Sequence, residues 1–570
     1  MKKRIKSQYR WSLYFLVALL CACTDIDIKD NPNAATPDKA DINDLFTNIQ
    51  LDFNDVFNAV NKKPGEAVRM YHAGGNFTYE AWANPADLNQ LWSKAYSDLL
   101  IDVETLIPLA EAVGLDIHIG AAKIMKAYTL MALVDIFGNV PNTEAGEGTD
   151  IVSPISNSGA AVYQEAIREL NEAIAQMDGS NAPSPDYDNY YNGDINKWTT
   201  LAKTLLLRAA VNLRLIGEGP DIKALIAEGD LIDEASEDFQ FNYGNQRDNP
   251  NSRHWMYNSH YESGDGDYLS NYYMWILRAS KKDDEGNPIR DPRLLYYFYR
   301  KVDDALGQDP TIYACHFSTL PDQSSKPVHY PEELPYCFGS EYGHIGRDHL
   351  NGEEISADGH IRTSYGLYPG GGQFDFDQFL DTRQSGTMGG LGQGISPIML
   401  SSFTDFLRAE AALTMGTGED ARALLEGGIR KSMDKVESFE SLIPNTMNTL
   451  FFVRGAPSPV SVKYLYGMSE EDVDSYVNFV LDSYDQASDK LDIVMSEYYI
   501  ALWGNGLEAY NLYRRTGKPA NMAPALIAEP GPFPASFFLP SDHVNRNATA
   551  TQKEDLRERV FWDNGSAEVY

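Results

Sequence analysis

Between Lys197 and Leu215 the apolar residues Trp198, Leu201, Leu205, Ala209 and Leu213 recur every three or four positions. That spacing lays one apolar stripe along a helix. It also predicts helices over 91–109, 121–137 and 162–177, joined by short Gly/Pro segments that favour packing between neighbours. Helical spacing returns with Leu400, Phe403, Leu407 and Ala411, where Ser396-Pro397 reads as an N-cap serine with proline at the first helical position. It continues over 421–436 and 485–513. Between Gly339 and Gly394 there are 14 glycines in 56 residues, a density that costs regular structure too much backbone entropy. The expected architecture is mainly α, with a helical scaffold at about 41–230, 396–436 and 485–515. A loop-rich lobe at about 231–395 joins it, with 437–484 and 516–570. Stacked helical hairpins would repeat near 34 residues, and no clean repeat signature is visible.

The first 22 residues follow another pattern. Lys2, Lys3, Arg4, Lys6 and Arg10 precede an apolar run from Trp11 to Ala22, the layout of a secretory signal. Twelve residues rise only about 18 Å as a helix against a hydrocarbon core of about 30 Å. The run is therefore a signal, and no later stretch reads as long enough to cross a membrane. In Leu20-Cys21-Ala22-Cys23 a small residue stands just before Cys23, which resembles a bacterial lipobox. There the thiol is acylated and Cys23 becomes the first mature residue. An ordinary signal with two incidental cysteines is the alternative. Asp25, Asp27 and Asp30 look like the export tag that sends lipoproteins to the outer face of the outer membrane. Residues 23–40, with Asn31-Pro32-Asn33 and Thr36-Pro37, read as an acidic tether.

Removing the signal strips five positive charges and no negative ones from a chain whose formal net charge is already −35. Such a chain repels nucleic acid, which needs Lys/Arg neutralisation, so nucleic-acid binding is excluded. With 43% apolar residues the chain is long enough to bury a large core. Cys315 and Cys337 lie 22 positions apart, and an exported protein meets oxidising conditions, so a disulfide between them is a candidate. If formed, it contributes roughly 3 kcal/mol through loop closure. No CxxC, HxxxH, HExxH or EF-hand pattern points to a metal, and no cofactor is implied. Gly389-Gly390-Leu391-Gly392-Gln393-Gly394 lacks the Gly-Lys-Ser/Thr ending of a phosphate loop and reads as a flexible hinge. No GxSxG marks a nucleophile.

Several stretches together carry a resemblance. These are "YTLMALVDIFGNVP" at 128–141, "NKWTTLAKTLLLRAAVNL" at 196–213, "DPRLLYYF" at 291–298 and "GRDHLNGEEISADGHIRTSYGLYPGGGQFD" at 346–375. "FTDFLRAEAAL" at 403–413, "EAYNLYRRTGKP" at 508–519, "FFLPSDHVNRN" at 537–547 and "RVFWD" at 559–563 follow in order. The chain thereby resembles the SusD/RagB family of outer-membrane nutrient-binding lipoproteins, in its SusD-like subgroup, over nearly the whole mature length. The resemblance implies a scaffold of tetratricopeptide-like helical hairpins with a variable loop-rich lobe that holds the ligand. It further implies a lid on a SusC-type TonB-dependent transporter that captures oligosaccharide, or in some members peptide, without being an enzyme.

Sugars present apolar C–H faces that stack on aromatic planes, and edge hydroxyls that need polar partners. "WMYNSHYESGDGDYLSNYYMW" at 255–275 holds seven Trp or Tyr in 21 residues, of which Trp255, Tyr257, Tyr268 and Tyr273 are the candidates; Asn258, Asp265, Asp267 and Asn271 supply polar groups. Filling the core of the loop lobe is the competing role. Tyr79 and Trp82 precede Pro85 and read as loop residues, with Trp82 the preferred single ligand aromatic. Arg362 and Tyr365 form a third candidate, in which a guanidinium donates to hydroxyls and stacks; pairing of Arg362 with Asp348 or Asp375 is the alternative. A secreted helical glycosidase would share these surfaces and would need two carboxyls about 5 to 5.5 Å apart.

Overall fold

Most of the apolar stripes become helices that begin at a side-chain cap. The computed structural model describes residues 40–567 except 75–77, 147–150, 264–265, 304–325, 335, 337–341, 351–360, 380–383 and 444–466. Cys23, with its tether, and Cys315 and Cys337 lie outside the described residues. Asp41 accepts from two amides to open α1 (Ile42–Ala67). α2 (Leu100–Val113) ends at Gly114, whose φ of 71° suits glycine, and α3 (Asp116–Phe137) follows at once. Ser158 caps α4 (Gly159–Met177), Asp194 caps α5 (Ile195–Leu213) and Ser270 caps α6 (Asn271–Arg278). After α7 (Ser401–Met415), Asp420 caps α8 (Ala421–Ser438), and Ser469 with Asp472 makes a capping box for α9 (Glu470–Gln486). Asp489 caps α10 (Lys490–Ala501) and Asn505 caps α11 (Gly506–Thr516).

α3 packs on α2 and α4, α4 on α5, α7 on α8, α9 on α8 and α10, and α11 returns onto α1. This is the mainly helical scaffold that the stripes predict, with the tetratricopeptide-like character that the resemblance implies. The α1–α11 crossing is so close that a Cβ at Gly506 would lie 2.2 Å from the Asn61 carbonyl oxygen and 2.7 Å from Gly65 Cα. Under the helices runs a chain of buried ions. Asp135 and Glu508 flank Arg208, at 3.3 and 2.7 Å, while Glu508 and Glu410 flank Arg515, at 3.0 and 2.9 Å; Arg214 completes it 2.9 Å from Glu410. It joins α3, α5, α7 and α11.

Among the described residues six short strands pair antiparallel. β1 (Val140–Pro141) and β2 (Ser156–Asn157) pair, as do β3 (Phe239–Asn242) and β6 (Ile395–Met399), and β4 (Phe298–Tyr299) and β5 (Ser364–Tyr365). Ser396-Pro397 is therefore strand, not the start of a helix. Every residue of β6 is buried, Pro397 faces Gln240, and in a two-stranded sheet its missing N–H costs no inner ladder bond. Asn505 also donates to the Pro397 and Ile398 carbonyls, holding the strand against α11.

Four other expectations are corrected. Residues 470–486, placed in the loop-rich part, form α9. The single pattern over 485–513 is cut at Gly504, which adopts φ +103° against Pro369 and Pro397. α3, at 22 residues, is long and apolar enough to cross a membrane by composition alone. All its residues but Asp116, Lys123 and Lys126 are buried in the protein, so it is a core helix. The glycines at 389–394 are no hinge: Gly390 N–H donates to the Gly372 carbonyl and Gly392 N–H to that of Gly371. A Cβ at Gly389 would sit 2.1 Å from the Gly372 oxygen, so these glycines exist for close backbone packing.

Candidate functional site

Four of the sequence candidates converge at the loop lobe. Trp255 starts a short helix, Trp255–Tyr257, in which His254 Nδ1 accepts from the Met256 amide at 3.1 Å. Tyr365 lies on β5, fixed there by Tyr261, whose hydroxyl donates to the Tyr365 carbonyl and accepts from the Gln373 amide, both at 2.8 Å. The Trp255 and Tyr365 rings meet edge to face with centroids 5.9 Å apart. His260 leans on Tyr365 at 4.6 Å, and the Arg362 charge acts on His260. Arg362 lies over the Tyr268 ring, its guanidinium carbon 4.6 Å from the centroid. Tyr268 meets His72 at 6.4 Å, and the adjacent Tyr71 meets Trp255 at 5.9 Å. The circuit Trp255, Tyr365, His260, Arg362, Tyr268, His72, Tyr71 is thus closed.

Trp255, Tyr268, Arg362 and His72 are half-buried and form a rim; Tyr71, His260 and Tyr365 are buried and form a floor. Among the described residues, no hydrogen bond is found for the Trp255 indole N–H at the rim or for the Tyr365 hydroxyl on the floor. Below them, Tyr71 Oη, His72 Nδ1, Ser364 Oγ and both ring nitrogens of His260 are buried and have no hydrogen-bond partner among the described residues. Such groups carry a desolvation cost that a bound polar group or water relieves. Burial, then the nearby charges of Lys301 and Arg362, hold the His260 imidazolium pKa down to about 3; burial, then Arg347, does the same for His72. Both rings are neutral near pH 7, each with one donor and one acceptor nitrogen. Arg362 stacks on Tyr268, whereas Asp375, one of its expected partners, pairs with Arg300 at 2.7 Å.

The remaining candidates lie in packed interior. Tyr79 and Trp82 form a helical turn, Tyr79–Trp82, instead of the loop expected of them. Trp82 is 2% exposed, and its Nε1 donates to Glu66 at 2.8 Å while Lys63 sits over its ring. The Tyr79 hydroxyl accepts from Arg69 at 2.9 Å and lies 3.1 Å from His349 Nε2. Tyr257 stacks on Tyr261 at 4.5 Å and donates to the Met388 carbonyl. Tyr273 donates to the Tyr499 and Ile500 carbonyls. The faces of these four rings are covered by protein, because apolar rings whose hydroxyl or N–H finds an internal partner are stable in a core.

Tyr71, His72 and His260 were not singled out in the sequence. Nothing in spacing links position 71 to 255 and 365; only the fold does. Among the described residues no group of three or more His, Cys, Asp or Glu is placed to hold a metal. A cavity of about 710 Å³ lies elsewhere, where Leu215, Pro220, Met415 and Leu491 meet at the ends of α5 and α7. Among the described residues its lining has no aromatic ring and therefore no stacking surface for a sugar.

Comparison with known proteins places the architecture. The family model described as "Starch-binding associating with outer membrane" matches residues 32–324, and that described as "Susd and RagB outer membrane lipoprotein" matches 393–555. No curated protein sequence matches the chain. Among solved structures, a SusD/RagB family protein from Bacteroides thetaiotaomicron is similar over 92% of this chain and 100% of its own, at 18% identity and TM-score 0.62. A chitin-binding protein is similar over 92% and 100%, at 20% identity and TM-score 0.60. A chitin-binding SusD homolog from Flavobacterium johnsoniae is similar over 92% and 99%, at 16% identity and TM-score 0.59. The helical scaffold with its loop-built lobe is thus a SusD-like fold. The chain belongs to the SusD/RagB family of outer membrane lipoproteins.

Proposed function

We propose that the protein is a cell-surface lipoprotein, acylated at Cys23 and facing the exterior, that captures oligosaccharides and delivers them to a SusC-type TonB-dependent outer-membrane transporter. The observation that carries this reading is the half-buried rim of Trp255, Tyr268, Arg362 and His72 over the floor residue Tyr365, where an aromatic plane and the Trp255 indole N–H stand together on the fold of an outer-membrane lipoprotein family. Stacking would use the Trp255 ring, and the Trp255 N–H, with the Tyr365 hydroxyl beneath it, would meet sugar oxygens. Tyr273, through Trp503, and Tyr257, through Tyr261, support Tyr365 from within. The chitin-binding names of two structural relatives agree with a glycan ligand. The site binds without cleaving, so long incubation with polysaccharide leaves its length distribution unchanged.

Isothermal titration against a panel of glycans and peptides tests the reading. Glycans are expected to bind, and Trp255→Ala to weaken them by about 1–3 kcal/mol, the range for a ring stacked on an aromatic side chain. Binding of peptides alone would turn the assignment to a peptide-capturing lid, and silence across the glycans would reject it. Recovery of a TonB-dependent transporter with the protein from solubilised outer membranes tests the delivery step.

A further inference from the structure

Four histidines surround the aromatic circuit. His254 lies against Trp255, with ring centroids 5.7 Å apart, and His260 against Tyr365 at 4.6 Å. His72 meets Tyr268 at 6.4 Å, and His349, its Nε2 3.1 Å from the Tyr79 hydroxyl, is near enough to His72 for their charges to interact. His254, His260 and His349 are buried, and the half-buried His72 has its Nδ1 enclosed. Both nitrogens of His260 and the Nδ1 of His72 and His349 have no hydrogen-bond partner among the described residues. His254 Nδ1 accepts from the Met256 amide at 3.1 Å, which a protonated Nδ1 could not do. The charges acting on these rings are cationic: Lys301 and Arg362 on His260, Arg347 on His72, and Arg69 on His349. The acids of the same region act elsewhere, Glu66 and Asp267 on Tyr365, while Asp348 accepts from Asn271 at 3.1 Å. Tyr243 on His254, Tyr365 on His260, Tyr268 on His72 and Tyr79 on His349 are neutral near pH 7.

The stretches that carry these rings are held by short elements. His254 caps the three-residue helix Trp255–Tyr257, and His260 sits in the turn Asn258–Glu262 that follows. Tyr365 lies on the two-residue β5, and the loops of His72 and His349 are joined by the Leu350 amide donating to the Ala73 carbonyl at 2.9 Å. Such stretches open while long helices stay folded. Burial leads in holding His254, His260 and His72 down to about 3 and His349 well below its ordinary value. Once open, each ring takes a proton near its ordinary 6.5. A base depressed in the closed form favours closure above its open value and loses that advantage as pH falls. Each ring therefore cuts the closed-to-open ratio by up to about tenfold per pH unit between about 6.5 and 3.

Resting on the glycan-binding reading above, we propose that these four histidines make the site a proton-coupled gate, in which mild acid opens the loops around Trp255 and Tyr365 and releases the glycan while the helical scaffold stays folded. Closure excludes protons from the rings, and proton uptake excludes closure. Ligand, by favouring the closed loops, moves the opening to lower pH.

Hydrogen exchange of the full chain, read by mass spectrometry on peptides over 68–74, 252–262 and 342–350 and corrected for the intrinsic effect of pH, tests the gate. Their opening constant should rise at least about tenfold from pH 7 to 5, the effect of one ring over part of its window. Peptides over α3 and α5 should not change. His260→Gln and His254→Gln should each remove about one proton from the slope, and a thermal melt at pH 7.5 shows which variant is folded enough to carry the test. Titration of the best glycan at pH 7.5 and 5, at constant ionic strength, should show affinity falling at least about tenfold, in parallel with opening. Lobe exchange that ignores pH, scaffold peptides that open with the lobe, or a slope that survives both substitutions overturns the gate and leaves the glycan reading standing. Affinity that holds while the loops open overturns the release step. Silence toward every glycan at pH 7.5 rejects the glycan reading itself, and the release step with it.

Discussion

At the scale of single residues, the contrast between Trp82 and Trp255 shows how the same side chain takes two roles. Both follow turns and both are rich in apolar area, yet Trp82 donates its N–H to buried Glu66 and is enclosed, whereas Trp255 keeps a half-exposed indole. Burial pushes the Glu66 carboxyl above its ordinary range, with Lys63 and Lys62 acting against it. Removing the indole leaves both a cavity and an orphaned acid. Trp82→Ala is therefore expected to cost about 3–5 kcal/mol of stability, as large-to-small changes of buried aromatics do. In urea unfolding its midpoint should fall well below that of the parent, while glycan affinity of the folded fraction stays unchanged. A stable variant with lost affinity would instead place Trp82 at the ligand. The sequence could not separate the two tryptophans, because the partner that encloses Trp82 is fixed by the return of distant chain, Phe537 among it.

At the scale of elements, four of the eight stretches that carried the family resemblance meet in the buried ion chain. Asp135 comes from the 128–141 stretch, Arg208 from 196–213, Glu410 from 403–413, and Glu508 and Arg515 from 508–519. This explains why the scaffold was legible and the ligand loops were not. Helix stripes and scaffold ions are local or strongly constrained patterns, whereas the rim draws on Tyr71, Trp255, Tyr268 and Tyr365, whose proximity no period encodes. Ser396-Pro397 failed for a related reason: its cap signal is local, but burial and pairing with β3 overrode it. The ion chain also yields a pH prediction. Burial would raise the Glu410 carboxyl, but Arg515 and Arg214 outweigh it and hold the group below its usual 4.5. A depressed carboxyl stabilises the fold above its unfolded value and loses that contribution as pH falls through the lower, folded value. Urea midpoints of the parent should thus drop as pH goes below about 4.5. Glu410→Gln should be less stable at pH 7 by about 3–5 kcal/mol, having taken the carboxylate from Arg214 and left Arg515 with Glu508 alone, and should lose less on acidification. Equal acid slopes in the two proteins would remove Glu410 from this role.

At the scale of the whole molecule, anchor and site are separate parts joined by a spacer. Residues 23–40, fully extended, reach at most about 60 Å, enough to let the folded body stand clear of the surface that holds Cys23. The acids Asp25, Asp27 and Asp30 and the body's excess of acids disfavour any hold on anionic headgroups by charge, so on the proposed reading retention rests on an acyl chain at Cys23. Nothing in the rim, built from residues 71–365, depends on that chain. Cys23→Ser should therefore release the protein from the membrane fraction and abolish incorporation of labelled palmitate, with glycan affinity the same as that of the parent by titration. Retention of the variant on membranes would show that a protein surface, not the lipid, makes the attachment, and a parent chain that takes up no palmitate would remove the lipobox reading of Leu20-Cys21-Ala22-Cys23.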